Sequence, residues 1–242
     1  MPPPKKKKLM APFPIATGIQ WEPLIAMFSV PLHRVPVFKD VHLAVIGSAA
    51  LFQFMLRHSD IPRPLFSPSN YNMVLVLDDP ALIDLYCELL ETGIFHAKRH
   101  YEKWESHQMD SHIPEIHITR EYTYAIEGIA RPVILTFVLV DDGLQYTDFM
   151  DILVHSLGMD ISRLWFDVRP LLFHSSAPLE EAIRQRNVTI HDTLSFPNRV
   201  PQQGDIARVC SLLRRVHVYT KYGFRFSNSV SVHFGVSSRV GP

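Results

Sequence analysis

The sequence has few cysteines, no excess of charge of either sign and no long apolar run. Its two cysteines, Cys87 and Cys210, are fewer than a disulfide-dependent secreted domain of 242 residues carries, which favours a reducing compartment. The 24 basic and 24 acidic residues balance, and this neutrality argues against a dedicated nucleic-acid-binding domain. The longest apolar window, 43–56, is shorter than the roughly 18 residues that a membrane-spanning helix needs. We therefore expect an intracellular protein, cytoplasmic or nuclear, with no membrane partner.

Several motifs of well-known enzymes are also missing. The sequence has no Gly-x-Ser-x-Gly nucleophile elbow and no phosphate-binding loop ending in Gly-Lys-Ser or Gly-Lys-Thr. Four histidines between positions 96 and 112 do not form the His-Glu-x-x-His pattern of zinc enzymes, and basic residues among them would oppose a dication. We expect no metal ligands in this stretch, which is typical of a polar, solvated segment.

The two ends of the chain differ in composition from its middle. Residues 1–40 are predicted to form a flexible, Pro/Lys-rich N-terminal tail and lead-in, with one short helix near 24–28. Four consecutive lysines follow three prolines, a short basic run of the kind that nuclear import receptors bind, although a solvated tail has the same composition: Lys5, Lys6, Lys7 and Lys8. The ordered domain is expected at 41–226, and 227–242 is expected to be a C-terminal tail.

Hydrophobic periodicity within 41–226 alternates between strand-like and helix-like patterns. An apolar strand at 43–46 is followed by an amphipathic helix at 49–58, and a second strand at 70–77 is followed by a helix at 81–92. A turn at Glu127-Gly128 predicts a hairpin between 115–124 and 133–140. Further helices are expected at 146–157, 179–186 and 205–219. Together these elements predict an α+β fold.

The junctions of the first two strands resemble the core of the nucleotidyltransferase superfamily, the polymerase-beta-like fold. Gly47-Ser48 opens a helix after the first strand, and the polar pair Asn70 and Asn72 stands two residues apart at the start of the second. The stretches 68–75 and 213–224 are also similar to segments of uncharacterised fungal proteins. The resemblance implies a mixed sheet flanked by helices over roughly 41–226.

The resemblance also implies how such a site works. Backbone N–H groups at Gly47 and Ser48 would hold a nucleotide triphosphate, while an Asp-x-Asp pair on the second strand binds Mg²⁺. This sequence has Asn70 and Asn72 at the two carboxylate positions, and each lost negative charge removes on the order of several kcal/mol of attraction for a dication. The expected third strand, 133–140, contains no carboxylate.

These departures favour a non-catalytic, nucleotidyltransferase-like binding or interaction module that uses no cofactor. Two alternatives stay open. The chain could be an active Mg²⁺-dependent nucleotidyltransferase with unorthodox ligands, such as Asp141 or Asp142 at the end of the third strand. It could also be an unrelated α/β interaction protein.

The C-terminal part of the sequence carries a basic cluster with aromatic residues between its members. Such a cluster can neutralise phosphates and stack bases, although the solvated face of an amphipathic helix has the same composition. Possible partners are therefore a nucleotide or another protein. The cluster comprises Arg208, Arg214, Arg215, Lys221 and Arg225.

Overall fold

The computed structural model describes residues 21–92, 98–103, 107–108, 116–127, 129–140, 144–155, 158–191, 194–196, 203–227 and 232–234. Within these residues the helices are α1 (Trp21–Arg34), α2 (Ser48–Arg57), α3 (Ala81–Thr92), α4 (Tyr146–His155), α5 (Ala177–Gln185) and α6 (Gln203–Lys221). The strands are β1 (His42–Ile46), β2 (Tyr71–Leu77), β3 (Lys98–Lys103), β4 (His107–Gln108), β5 (Ile116–Ile126), β6 (Ile129–Val140), β7 (Trp165–Asp167), β8 (Leu172–His174), β9 (Asn187–Val188), β10 (Leu194–Phe196), β11 (Arg225–Phe226) and β12 (Val232–Phe234).

One mixed sheet organises the described residues. Its strands follow the order β3-β5-β6-β2-β1-β7-β8, and β4 also pairs with β5. Strands β2 and β6 run parallel, whereas the other neighbours in this sheet are antiparallel. Two small parallel pairs, β10 with β12 and β9 with β11, lie apart from it. The α+β class expected from the sequence is confirmed.

Helices cover both faces of the sheet. On one face α1 and α3 pack against a core that includes Phe28, Leu75 and Phe137, each with no exposed side-chain surface. On the other face α4 packs against alternate residues of the central strands, such as Val74. Helix α2 joins a third apolar cluster with α5 and α6. Strand residues alternate between the faces, as the pleat requires.

Among the described residues the buried core already includes Trp21, whereas the sequence suggested a start at Val41. Trp21 is 1% exposed and meets the ring of Phe166 edge-on at 5.2 Å between centroids. The Tyr86 hydroxyl of α3 donates a 2.7 Å hydrogen bond to the Phe28 carbonyl of α1. Helix α1 continues through Pro31 to Arg34. The sequence predicted a shorter helix because proline usually interrupts one. Residues 1–20 lie outside the described residues.

The polar stretch after α3 contains an edge strand that the sequence analysis did not predict. Strand β3 pairs antiparallel with β5 and carries Lys98, Arg99 and Lys103. Charged residues on an edge strand discourage pairing with another chain. The Arg99 guanidinium also donates a 2.7 Å hydrogen bond to Glu91 of α3, which ties this edge to the helix.

Helix α3 has the predicted bounds, and most of its apolar stripe packs on the core. The sequence pattern predicts a stripe of Leu82, Leu85, Tyr86, Leu89 and Leu90; Tyr86 and Leu90 are buried and Leu82 and Leu89 are half-buried, but Leu85 is 37% exposed. Ile83 and Cys87, outside that stripe, are also buried. Asp79 caps the first turn by accepting a 2.8 Å hydrogen bond from the Ala81 N–H. None of the described helices is long and apolar enough to cross a lipid bilayer.

Candidate functional site

The turn between β1 and α2 has a backbone conformation that requires glycine. Gly47 adopts φ 71° and ψ −147°, a region that residues with a Cβ rarely enter. Its carbonyl accepts the first bond of the helix, from the Leu51 N–H at 3.1 Å. Among the described residues no side chain caps α2. The N–H groups of its first turn are therefore presented at the helix N-terminus, where the dipole favours an anion.

The amide pair lies beside this turn. Asn72 pairs with Ile46, the last residue of β1, so the chain register places it next to Gly47. A Cβ added to Gly47 would lie 3.6 Å from the Asn72 Nδ2 atom. The Asn70 Nδ2 atom donates a 2.9 Å hydrogen bond to the Asn72 Oδ1 atom. The structure thus brings together Gly47, Asn70 and Asn72, the residues chosen from the sequence.

The neighbouring strand supplies no carboxylate. Strand β6 runs parallel to β2, and Ile134 is the register partner of Asn72. Strand β6 ends at Val140, six residues beyond Ile134, or about 20 Å at an extended rise. Asp141 and Asp142, the alternative ligands, lie outside the described residues. Within those residues no three His, Cys, Asp or Glu side chains group as a metal site.

Two aromatic residues near the turn escaped the sequence analysis as part of the site. Tyr222, just after α6, stacks on Phe66 with 3.9 Å between ring centroids and 10° between planes. Burial raises the pKa of Tyr222, and the Ser48 side chain, as a hydrogen-bond partner, acts in the opposite direction. The C-terminal stretch therefore lies against the Gly47-Ser48 turn. No local sequence pattern indicates that Tyr222 contacts Phe66 and Ser48, because Tyr222 lies more than 150 residues after both.

Hydrogen bonds from a half-buried arginine fix the position of Tyr222. Arg186, with a left-handed φ of 52°, ends α5 and donates from Nη1 to the Tyr222 carbonyl at 3.0 Å. Its Nη2 atom donates to the Arg63 carbonyl at 2.5 Å, in the loop that also carries Phe66. One guanidinium therefore connects the loop before β2 with the turn after α6.

The predicted basic cluster lies on and after the outer face of α6. Arg214, Lys221 and Arg225 are exposed, Arg215 is half-buried, and the side chain of Arg208 lies outside the described part of the chain. Leu212 and Tyr219 form the buried face of the same helix. This is the alternation of an amphipathic helix, and of this region Tyr222 is the residue that contacts the Ser48 side chain. The lysines at 5–8 also lie outside the described residues.

No family model matches the chain, and no curated protein matches it significantly.

Proposed function

We propose that this chain is a non-catalytic binding module with a nucleotidyltransferase-like core, and that it binds a nucleotide phosphate without a metal ion. The observation that carries this proposal is the hydrogen-bonded amide pair, Asn70 and Asn72, beside the uncapped N-terminus of α2. Two carboxylates at that separation need a cation between them, whereas two amides satisfy each other.

The helix N-terminus supplies the attraction for an anion that the metal ions supply in nucleotidyltransferases. Free N–H groups at a helix start and the positive end of its dipole favour phosphate oxygens. The Asn72 Nδ2 atom faces Gly47 and adds a neutral donor. Asn70, Asn72 and Ile134 are all uncharged, so none of them would repel a phosphate bound at this site. Mg²⁺ is therefore not needed to screen the phosphate from carboxylates at these positions.

Calorimetry with nucleoside triphosphates in EDTA tests the proposal. We expect binding with a Kd below about 1 mM, which corresponds to a binding free energy more favourable than about −4 kcal/mol. Ser48→Asp should abolish it, because a carboxylate in the first turn repels phosphate while remaining favourable for the helix. The matched control is Ser176→Asp, which places the same charge at the N-cap of α5 and should leave binding intact.

Three results would count against the proposal. The first is an absence of binding by all four common ribonucleoside triphosphates, both in EDTA and in Mg²⁺. The second is an equal loss of binding in the Ser48→Asp and Ser176→Asp variants, which would indicate a general charge effect. The third is Mg²⁺-dependent nucleotide transfer by the wild-type protein, which would favour the enzyme alternative with Asp141 or Asp142.

Restoring both carboxylates should create a dependence on metal. We expect Asn70→Asp with Asn72→Asp to lower the free energy of unfolding in EDTA by about 1–4 kcal/mol, because two like charges replace a hydrogen bond. Millimolar Mg²⁺ should recover part of this loss. Thermal unfolding with and without Mg²⁺ measures both effects.

The single variant Asn72→Asp is the control for that experiment. Its carboxylate still accepts from the Asn70 Nδ2 atom, so its stability should stay near that of the wild type in EDTA. A double variant as stable as the wild type in EDTA, or one that does not respond to Mg²⁺, would contradict the geometry proposed for the pair.

A further inference from the structure

Four aromatic rings form a continuous stack beneath the start of α4, on the sheet face that also carries Asn72. Tyr146, the first residue of α4, stacks on His42 of β1 with 4.0 Å between centroids and 13° between planes. It meets Trp165 of β7 edge-on at 5.6 Å. Trp165 stacks in turn on His174 of β8, its register partner, at 3.7 Å and 3°. A histidine therefore ends the stack on each side.

A buried carboxylate lies among these rings. Asp167 of β7 is 6% exposed, and one of its oxygens accepts a 3.0 Å hydrogen bond from the Arg169 N–H. Its pKa is raised by burial and lowered by that hydrogen bond and by His42, His174 and Arg169. The cluster thus places two half-buried histidines close to one buried carboxylate.

Both histidines have a lowered pKa in this cluster. Burial lowers the pKa of His42 below its ordinary 6.5, Arg169 lowers it further, and Asp167 and Asp40 oppose the shift. Burial also lowers the pKa of His174 below 6.5, against Asp167 and against Asp151 of α4.

Two buried polar atoms of the stack have no hydrogen-bond partner among the described residues. They are the Tyr146 hydroxyl and the His174 Nε2 atom. Ring contacts therefore hold the N-terminus of α4 to the sheet. Among the described residues, neither of these two polar atoms adds a hydrogen bond to those contacts. Such packing tolerates a neutral imidazole, whereas an imidazolium must surrender its hydration to stay in it.

We propose that this cluster is a proton-sensitive latch, which holds α4 on the sheet at neutral pH and releases it on acidification. Because the docked histidines bind protons more weakly than exposed ones, the open state takes up protons as the pH falls below about 6.5. Docking is therefore complete above that pH and is lost progressively below it. Asp167, with a raised pKa, acts in the opposite direction, but only at the lower pH where carboxylates titrate.

Release of α4 would uncover the sheet face that it covers. Phe149 and Met150 of α4 are fully buried against Ala44, Val74 and Trp165 on that face. Asn72 lies on the same face, two residues before Val74 on β2. The latch does not depend on the proposed nucleotide site, because it is a property of how α4 is attached.

Hydrogen exchange of the full chain at pH 7.5 and pH 5.5 tests the latch. After correction for intrinsic exchange rates, we expect the protection factors of α4 amides to be about fivefold lower or more at pH 5.5 than at pH 7.5, with α3 amides as the reference. A fivefold change is the lower end of the coupling usually found between two sites. Changing both His42→Phe and His174→Phe keeps the ring stack but removes the protons, so it should abolish this fall. His155→Gln, an exposed position on the same helix, is the matched control and should retain it.

A charge variant gives a second, directional test. Asp167→Asn removes a carboxylate that raises the pKa of both docked histidines, so these histidines should bind protons still more weakly and the fall in α4 protection between pH 7.5 and pH 5.5 should become larger. NMR titration of the histidine ring protons in the wild type reports the two sites directly, whether or not the double phenylalanine variant folds. Equal protection of α4 at both pH values, a fall that persists without the histidines, or unshifted histidine titrations would each overturn the proposal.

Discussion

Replacing Leu75 by alanine is expected to lower the free energy of unfolding by about 2–5 kcal/mol, because the truncated side chain leaves a cavity in a close-packed core. Leu75 lies on β2 in the centre of the sheet and has no exposed surface. Its strand pairs with β1 on one side and β6 on the other, so neighbouring strands cannot easily move to fill the space. Urea denaturation followed by circular dichroism measures the loss.

Leu85→Ala is the matched control, since it removes the same atoms from a position that is 37% exposed. We expect it to cost less than about 1 kcal/mol. Equal losses at both positions would show that the burial of the β2 and α3 side chains differs from the one described. A loss below about 1 kcal/mol at Leu75 would contradict its place in the core.

Removing the Arg169 side chain should produce the second large effect, a loss of about 2–4 kcal/mol. Its Nη2 atom donates to the carbonyls of Leu32 at 2.8 Å and Phe38 at 3.1 Å, and its Nη1 atom donates to the Lys39 carbonyl. In Arg169→Ala these carbonyls, two of them in half-buried contacts, lose a charged donor. This side chain ties the connection between α1 and β1 to the residues that follow β7.

Two variants separate the geometry of Arg169 from its charge. Arg169→Lys keeps the charge but cannot direct donors to three carbonyls, so we expect an intermediate loss. Arg214→Ala, at an exposed position on α6, should change stability by no more than about 0.5 kcal/mol. The interpretation fails if Arg169→Ala is as stable as Arg214→Ala in chemical denaturation.

Local pattern was sufficient where neighbouring residues determine the structure. The apolar run of β1, the Gly47 turn and the paired apolar strand β2 depend on composition and punctuation within about 35 residues, and the structure has all three. The hairpin of β5 and β6 also has its predicted turn, between Ile126 and Ile129. These features predict an α+β fold without reference to any distant contact.

The misplaced Leu85 of α3 shows where periodicity is insufficient. The helix carries apolar side chains over a wide arc, so two adjacent stripes, one with Leu85 and one with Ile83 and Cys87, fit a helical repeat. Only packing against the sheet decides between them. Similarly, α1 contains Pro31 and β3 is dominated by charge, and both form because distant elements cover or pair with them.

The candidate site was predictable only in part for the same reason. Gly47, Asn70 and Asn72 lie at strand ends that the pattern identifies, so their proximity could be expected. Tyr222 stacks on Phe66, and His42 lies near Asp167, across more than a hundred residues in each case. No spacing within a single sequence reports such contacts.

The place of α1 in the core has a consequence for the order of events during synthesis. Trp21 packs on Phe166, so its partner emerges from the ribosome roughly 145 residues later. At a translation rate of about 5–20 residues per second, the Trp21 ring stays without this partner for on the order of ten seconds. During that interval the nascent chain exposes a tryptophan ring that is buried in the folded protein. Helix α1 is thus made well before one of its largest buried contacts can form, which makes it a segment that a chaperone could protect during synthesis.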